Sequence, residues 1–169
     1  MNKTAKKVAL VGILTALYVV MALTLKLKLG LGDISLDLGY VALCVACFTV
    51  GPWAGFVGAA GAAIISSIAT QYGFSISWTV MNAVIGIGLG LIFVKFKLDS
   101  FVKYIIAIVL ILAAVLVGVA CKTGIECALY NIPFLVKLPK AALAFGVDSA
   151  VMMIGLFVVN PVRRALKSA

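Results

Sequence analysis

Six apolar runs, each closed by charge, glycine, proline or a short polar cluster, constrain this chain more than any other feature. They fall at about 8–25, 39–50, 54–69, 77–94, 102–129 and 141–159. A helix needs about 20 apolar residues to cross the hydrocarbon of a bilayer, and most of these runs approach that length. The second is shorter and must be buried or tilted. Gly51-Pro52-Trp53 ends it, because proline lacks an amide donor and restricts the residue before it. Thr70-Gln71-Tyr72-Gly73 ends the third run, and Asn160-Pro161 ends the sixth. The segment 26–38 differs. Apolar and polar residues alternate on both sides of Gly30 and Gly32, a period of two that predicts an extended loop or hairpin over one mouth of the bundle. The alternative there is an ordinary interfacial loop.

Composition agrees. Of 169 residues, 65% are hydrophobic and 11% charged, where soluble domains are about half apolar and about a quarter charged. So short a chain cannot bury that surplus, so it must face lipid. The expected fold is an all-α integral membrane protein: one six-transmembrane-helix bundle over 1–169, with an extended outer loop between helices 1 and 2. The first run is long and lacks a small-residue cleavage site before the next, so it reads as a retained helix.

The net charge of +9 does not indicate nucleic acid, because the cations flank apolar runs and form no stripe on a polar face. They orient the chain. Lys3, Lys6 and Lys7, then Lys95, Lys97 and Lys103, then Arg163, Arg164 and Lys167 share one side when the helix count is even. That side is the cytoplasm, which places both termini there. Lys26, Lys28, Lys122, Lys137 and Lys140 fall on the other side, with Asp33, Asp37 and Glu126.

Several chemistries find no residues. The chain has no histidine. Cys44 and Cys47 have the spacing of a metal pair but no second pair, so Cys44, Cys47, Cys121 and Cys127 read as small packing residues and no metal is expected. No serine sits in a nucleophile elbow, and no enzyme is expected. Gly86-x-Gly88-x-Gly90 lies inside an apolar helix and is a packing feature, not a phosphate cradle. Nothing suggests an internal repeat.

Two patterns carry information. Helix 1 places Ala5, Ala9, Gly12 and Ala16 on one stripe, and helix 3 carries Gly51, Gly55, Gly58, Gly61 and Ala62. In lipid, small residues matter because they allow close helix approach. The second pattern is a set of polar groups in the outer half. Lys122, Glu126, Asn131 and Asp148 lie near or within helices 5 and 6, and Trp78 and Asn82 are one turn apart on helix 4. A charge in hydrocarbon costs at least a few kcal/mol, so such groups pair or face a cavity. Asp148 lies roughly 10 Å below the start of helix 6 at about 1.5 Å per residue. Helices 4, 5 and 6 are expected to form a polar cup, lidded by 26–38, with Trp78, Tyr72, Phe74 and Tyr130 as flat walls. Lys122 and Glu126, spaced i to i+4, could instead pair with each other.

Lys6-Lys7-Val8-Ala9-Leu10-Val11-Gly12-Ile13-Leu14-Thr15-Ala16-Leu17, Gly39-Tyr40, Gly51-Pro52-Trp53-Ala54-Gly55-Phe56-Val57-Gly58 and Asn160-Pro161-Val162-Arg163-Arg164 together resemble the substrate-binding S component of energy-coupling factor (ECF) transporters. The resemblance covers nearly the whole chain. It implies a six-helix bundle in the bacterial cytoplasmic membrane that captures a vitamin-like solute from outside. It also implies that the small-residue stripe of helix 1 docks on a transmembrane coupling subunit joined to two ATPases. The chain itself then binds no cofactor, and ATP is used by the partners. Residues 72–79, 129–131 and 138–140 look most like the folate-type branch, although the helix-5 polar residues of that branch are replaced by Lys122, Thr123 and Glu126. The expected solute is therefore a heteroaromatic micronutrient: a folate or pterin, a purine-like base or a pyrimidine vitamin. Its expected contacts are Trp78, Asn82, Lys122, Glu126, Asn131, Asp148 and Tyr72, with Asp33 and Ser35 in the lid. The alternatives are a stand-alone proton-coupled exporter, with Asp148 or Glu126 carrying the proton, and a non-transporting membrane scaffold.

Overall fold

The computed structural model describes residues 3–25, 27–28, 35–69 and 73–168. It contains helices α1 (Lys3–Thr24), α2 (Gly39–Thr49), α3 (Ala54–Ala69), α4 (Ile76–Phe93), α5 (Phe101–Tyr130) and α6 (Phe134–Ser168). A 3-10 turn, Gly51–Trp53, joins α2 to α3. Two short strands, β1 (Leu27–Lys28) and β2 (Ser35–Leu36), pair antiparallel between α1 and α2, and β2 touches α6. Among the described residues, five helices are long and apolar enough to cross a membrane, and α2 is a shorter sixth.

Burial explains why α2 can be short. Of its eleven residues, nine are buried, because α1, α4 and α6 pack around it. It fills the bundle axis and does not need to reach both lipid surfaces. Cys44 and Cys47 are buried there as free thiols. Gly155 of α6 lies against Cys44, where an added methyl group would come within 2.7 Å of the cysteine Cβ, so even alanine would force the two helices apart.

The closest approach is between α3 with its preceding turn and α4. A Cβ on Gly86 would lie 2.5 Å from the Ala54 carbonyl oxygen, and one on Gly90 would collide with the Gly51 carbonyl. Gly51 itself has φ +67, a left-handed conformation that glycine adopts without cost. The helix-3 glycines therefore pack within the chain, as does the Gly86/Gly90 edge of α4. Gly88 faces open space.

The outer surface is apolar. Ile13 (64% exposed), Phe101 (80%), Leu135 (78%) and Phe157 (76%) point away from the core, as expected where lipid replaces water. The interior is built from Tyr18, Tyr40, Phe48, Leu43, Met81, Ile85, Phe93, Ile111 and Met152, with Phe48 and Phe93 stacked at 4.3 Å.

Two boundaries differ from the sequence reading. Helix α1 begins at Lys3, one turn before the apolar run. Helix α6 begins at Phe134 and continues through Pro139 and Pro161 to Ser168. Proline disfavours a helix interior, but tertiary bonds hold this stretch in place. The Asn160 amide donates to the Leu98 carbonyl and the Tyr104 hydroxyl, each at 3.0 Å, and Arg163 is bonded one turn later.

Candidate functional site

All six helices contribute to one polar cluster at one end of the bundle. Serine begins it. Ser75 caps α4, accepting the Trp78 backbone N–H at 3.4 Å, while its own N–H donates to the Ser66 hydroxyl of α3. That cap sets Ser77 facing α5, where its hydroxyl donates to Glu126 Oε1 at 3.1 Å. The other Glu126 oxygen accepts from Lys137 Nζ of α6 at 2.8 Å. One carboxylate thus ties the start of α4, the end of α5 and the start of α6 together.

Deeper, Asn82 is fully buried. Its amide donates to the Trp78 carbonyl at 2.8 Å, which leaves Oδ1 to accept the Tyr18 hydroxyl from α1 at 3.1 Å. The Tyr18 ring lies edge-on to Tyr40 of α2, with centroids 6.3 Å apart. It fits because Gly61 offers no side chain, and a Cβ there would collide with the ring. Asp37 is buried at the start of α2, where its Oδ1 accepts the Gly39 N–H at 2.8 Å. A carboxylate at a helix N-terminus meets unsatisfied donors and the positive end of the dipole.

Three groups remain to face a solute. The Tyr40 hydroxyl is buried and makes no hydrogen bond among the described residues, with the Trp78 indole and the Asp148 carboxylate as polar neighbours. Asp148 of α6 is half-buried and interacts electrostatically with Lys122, Asp37 and Tyr40. Lys122 is half-buried and forms no ion pair among the described residues. A buried polar group without a partner costs free energy, so the Tyr40 hydroxyl is the group a ligand would complete, beside the opposite charges of Asp148 and Lys122. Ser149 is likewise buried without a partner.

Trp78, Asn82, Lys122, Glu126 and Asp148 thus come together as the sequence suggests. Asn131 does not join them. It is exposed at the end of α5 with φ 51, a left-handed cap that asparagine tolerates. Lys122 and Glu126 do not pair, because Lys137 takes the glutamate. The cup also draws on α1 and α2, not on α4 to α6 alone. Tyr18 and Tyr40 were missed because a tyrosine within an apolar run looks like packing. The signal available was spacing: Val11, Leu14, Tyr18 and Ala22 form the buried stripe of α1. Asp33 and Tyr72 lie outside the described residues, as does the side chain of Ser35, whose backbone is in β2. Ala5, Ala9, Gly12 and Ala16 are all exposed, and a Cβ on Gly12 would meet nothing within 4 Å. A shallow apolar depression lined by Pro52, Trp53, Phe56 and Ile87 lies at the opposite end. All four lining side chains are apolar or aromatic, so the polar cluster is the better candidate site. No group of three metal-ligating side chains occurs among the described residues.

An apolar, multi-pass helical bundle with incompletely paired polar groups inside one end is the architecture of a membrane protein built to hold a polar solute within its helices. The chain belongs to the family described as ECF-type riboflavin transporter, S component, whose model matches residues 2–163. No curated protein matches it. Among solved structures it resembles the S-component for biotin from an ECF-type ABC transporter, with a TM-score of 0.63 and 18% identity over 97% of this chain and 95% of that one. That likeness speaks for the fold. Neither comparison supports the folate-type solute expected from residues 72–79, 129–131 and 138–140.

Proposed function

We propose that this chain captures riboflavin, or a closely related ring system, from outside the cell as the substrate-specific subunit of an ATP-driven ECF transporter. The observation that carries the reading is the family match over 2–163, and the outer cluster suits such a solute chemically. A flavin presents a flat aromatic body and a pyrimidine edge with one N–H donor between two carbonyl acceptors. The Asp148 carboxylate would accept the ring N–H. Lys122 and the Trp78 indole would donate to the carbonyls. Tyr40, whose ring is packed in the core, would offer its hydroxyl, with Asp37, to the hydroxylated side chain. Six membrane crossings with both termini cytoplasmic, and the β1–β2 hairpin as a lid, complete the picture.

The exposed stripe of Ala5, Ala9, Gly12 and Ala16 would dock on the coupling subunit, with ATP hydrolysed by two partner ATPases. Family membership sets aside the exporter and scaffold readings. A biotin-like solute is the second reading, favoured by Lys122, whose unpaired ammonium would suit a carboxylate. Titration of the purified chain in nanodiscs with riboflavin, biotin, folate and adenine separates these readings. Saturable quenching of riboflavin fluorescence at one site per chain is the expected result. Stabilisation by biotin alone would select the second reading, and no response to any of the four would refute both.

A further inference from the structure

At the inner end of the bundle, 22 Å or so along α6 from Asp148 at about 1.5 Å per residue, Arg163 spreads across the ends of two other helices. Its Nε and one terminal nitrogen donate to the Phe48 carbonyl of α2, at 3.1 and 2.6 Å. The same terminal nitrogen reaches the Phe93 carbonyl of α4 at 3.1 Å. The other donates to the Phe96 carbonyl at 2.6 Å. The guanidinium also lies 5.1 Å from the centroid of the Phe48 ring.

This cation has no carboxylate partner among the described residues. Its counter-charge is the backbone. A helix C-terminus carries an effective charge of roughly −0.5, and two of them, α2 and α4, offset one positive charge. Neither helix has a basic residue in its own last turn. Arg163 supplies from α6 what both lack, and its rigid fork reaches several carbonyls at once, which a lysine ammonium does not match.

These same three helices carry the candidate site at their other ends. Tyr40 lies eight residues before Phe48 on α2, about 12 Å away along the helix. Asn82 lies eleven residues before Phe93 on α4, about 16 Å away. A helix held at one end and packed along its length transmits an axial shift to the other.

We propose that Arg163 is a positioning residue for solute capture: by fixing the inner ends of α2 and α4 on α6, it sets the relative heights of Tyr40, of Trp78 with Asn82, and of Asp148. This rests on the reading that the outer cluster binds the solute. Arg164, its exposed neighbour of the same charge, provides the control.

The test uses the full chain in nanodiscs, as wild type, Arg163→Lys, Arg163→Gln and Arg164→Gln. Riboflavin titration reads Kd and binding sites per chain separately. Arg163→Lys is expected to weaken Kd at least tenfold at one site per chain, and Arg164→Gln to stay within twofold. A merely structural role would lower the number of competent sites and leave their Kd unchanged, and that result overturns the proposal. Amide hydrogen exchange without ligand provides a second readout. Faster exchange over 39–43 and 76–82 in either Arg163 variant supports positioning, and a change confined to 90–98 overturns it. If wild type does not bind riboflavin, the functional reading fails, while the exchange result still decides the role of Arg163.

Discussion

Replacing Tyr18 with phenylalanine isolates the hydrogen bond that joins α1 to the centre of the bundle. The ring and its contacts remain, and only the hydroxyl is lost. Tyr18 and Asn82 are both 0% exposed, so no water replaces the donor, and Asn82 Oδ1 is left bare. The amide cannot turn to compensate, because its nitrogen is committed to the Trp78 carbonyl. In soluble interiors such a loss costs about 1–3 kcal/mol. Interhelical bonds in membranes average about 0.6 kcal/mol and reach about 1.7. At 3.1 Å this bond is longer than the usual O–H to O distance of about 2.7–2.8 Å, so about 0.6–1.2 kcal/mol is expected. The assay is a double-mutant cycle of Tyr18→Phe and Asn82→Leu, measured by reversible unfolding in bicelles. The coupling energy should fall in that range. A value below about 0.3 kcal/mol, the scatter of independent sites, would refute the claim that the pair holds α1 to the site.

Gly61→Val should cost about 1–3 kcal/mol by overpacking and weaken ligand binding, since the new side chain enters the space of the Tyr18 ring; melting curves and titration check both. Glu126→Gln removes the counter-ion of Lys137, whose side chain is 23% exposed, and should destabilise by about 1–3 kcal/mol. Adding Lys137→Met should recover most of that loss in the same unfolding assay. Asp148→Asn should weaken riboflavin binding by about 10–100-fold, the equivalent of one charge-assisted hydrogen bond, with little change in melting temperature. Gly12→Leu should leave folding and ligand affinity intact, because a Cβ there meets nothing, yet should abolish co-purification with a coupling subunit.

Local patterns carried the fold further than the site. The α3 boundaries, the run of α5 and the buried character of α2 follow from periodicity, length and the Gly-Pro-Trp break. Glu126 and Asp148 were legible because charge in an apolar run is expensive. What stayed hidden depends on partners far along the chain. Tyr18 meets Asn82 across 64 residues, and nothing local to either announces it. Lys137 looked like a flanking charge, and only the folded bundle turns it toward Glu126 in preference to Lys122. Arg163 fitted the positive-inside pattern so well that its reach to Phe48, 115 residues earlier, had no separate signature. Asn131 has a structural part that its residue type did not announce. A polar residue near the outer mouth suggested ligand contact, whereas its backbone conformation ends a helix.

The shortness of α2 also has a geometric consequence for what the bundle can hold. Eleven residues span about 16 Å at about 1.5 Å per residue, against about 30 Å of hydrocarbon. Because α2 turns directly into α3 through Gly51–Trp53, the deficit of about 14 Å falls at the Gly39 end. The missing turns leave the Tyr40 end of α2 to be closed by Asp37 and the β2 segment before it, so what covers that end of the bundle follows from the length of one internal helix. Adding or removing a turn of α2 would then change the size of solute admitted, while the five long helices around it stayed as they are.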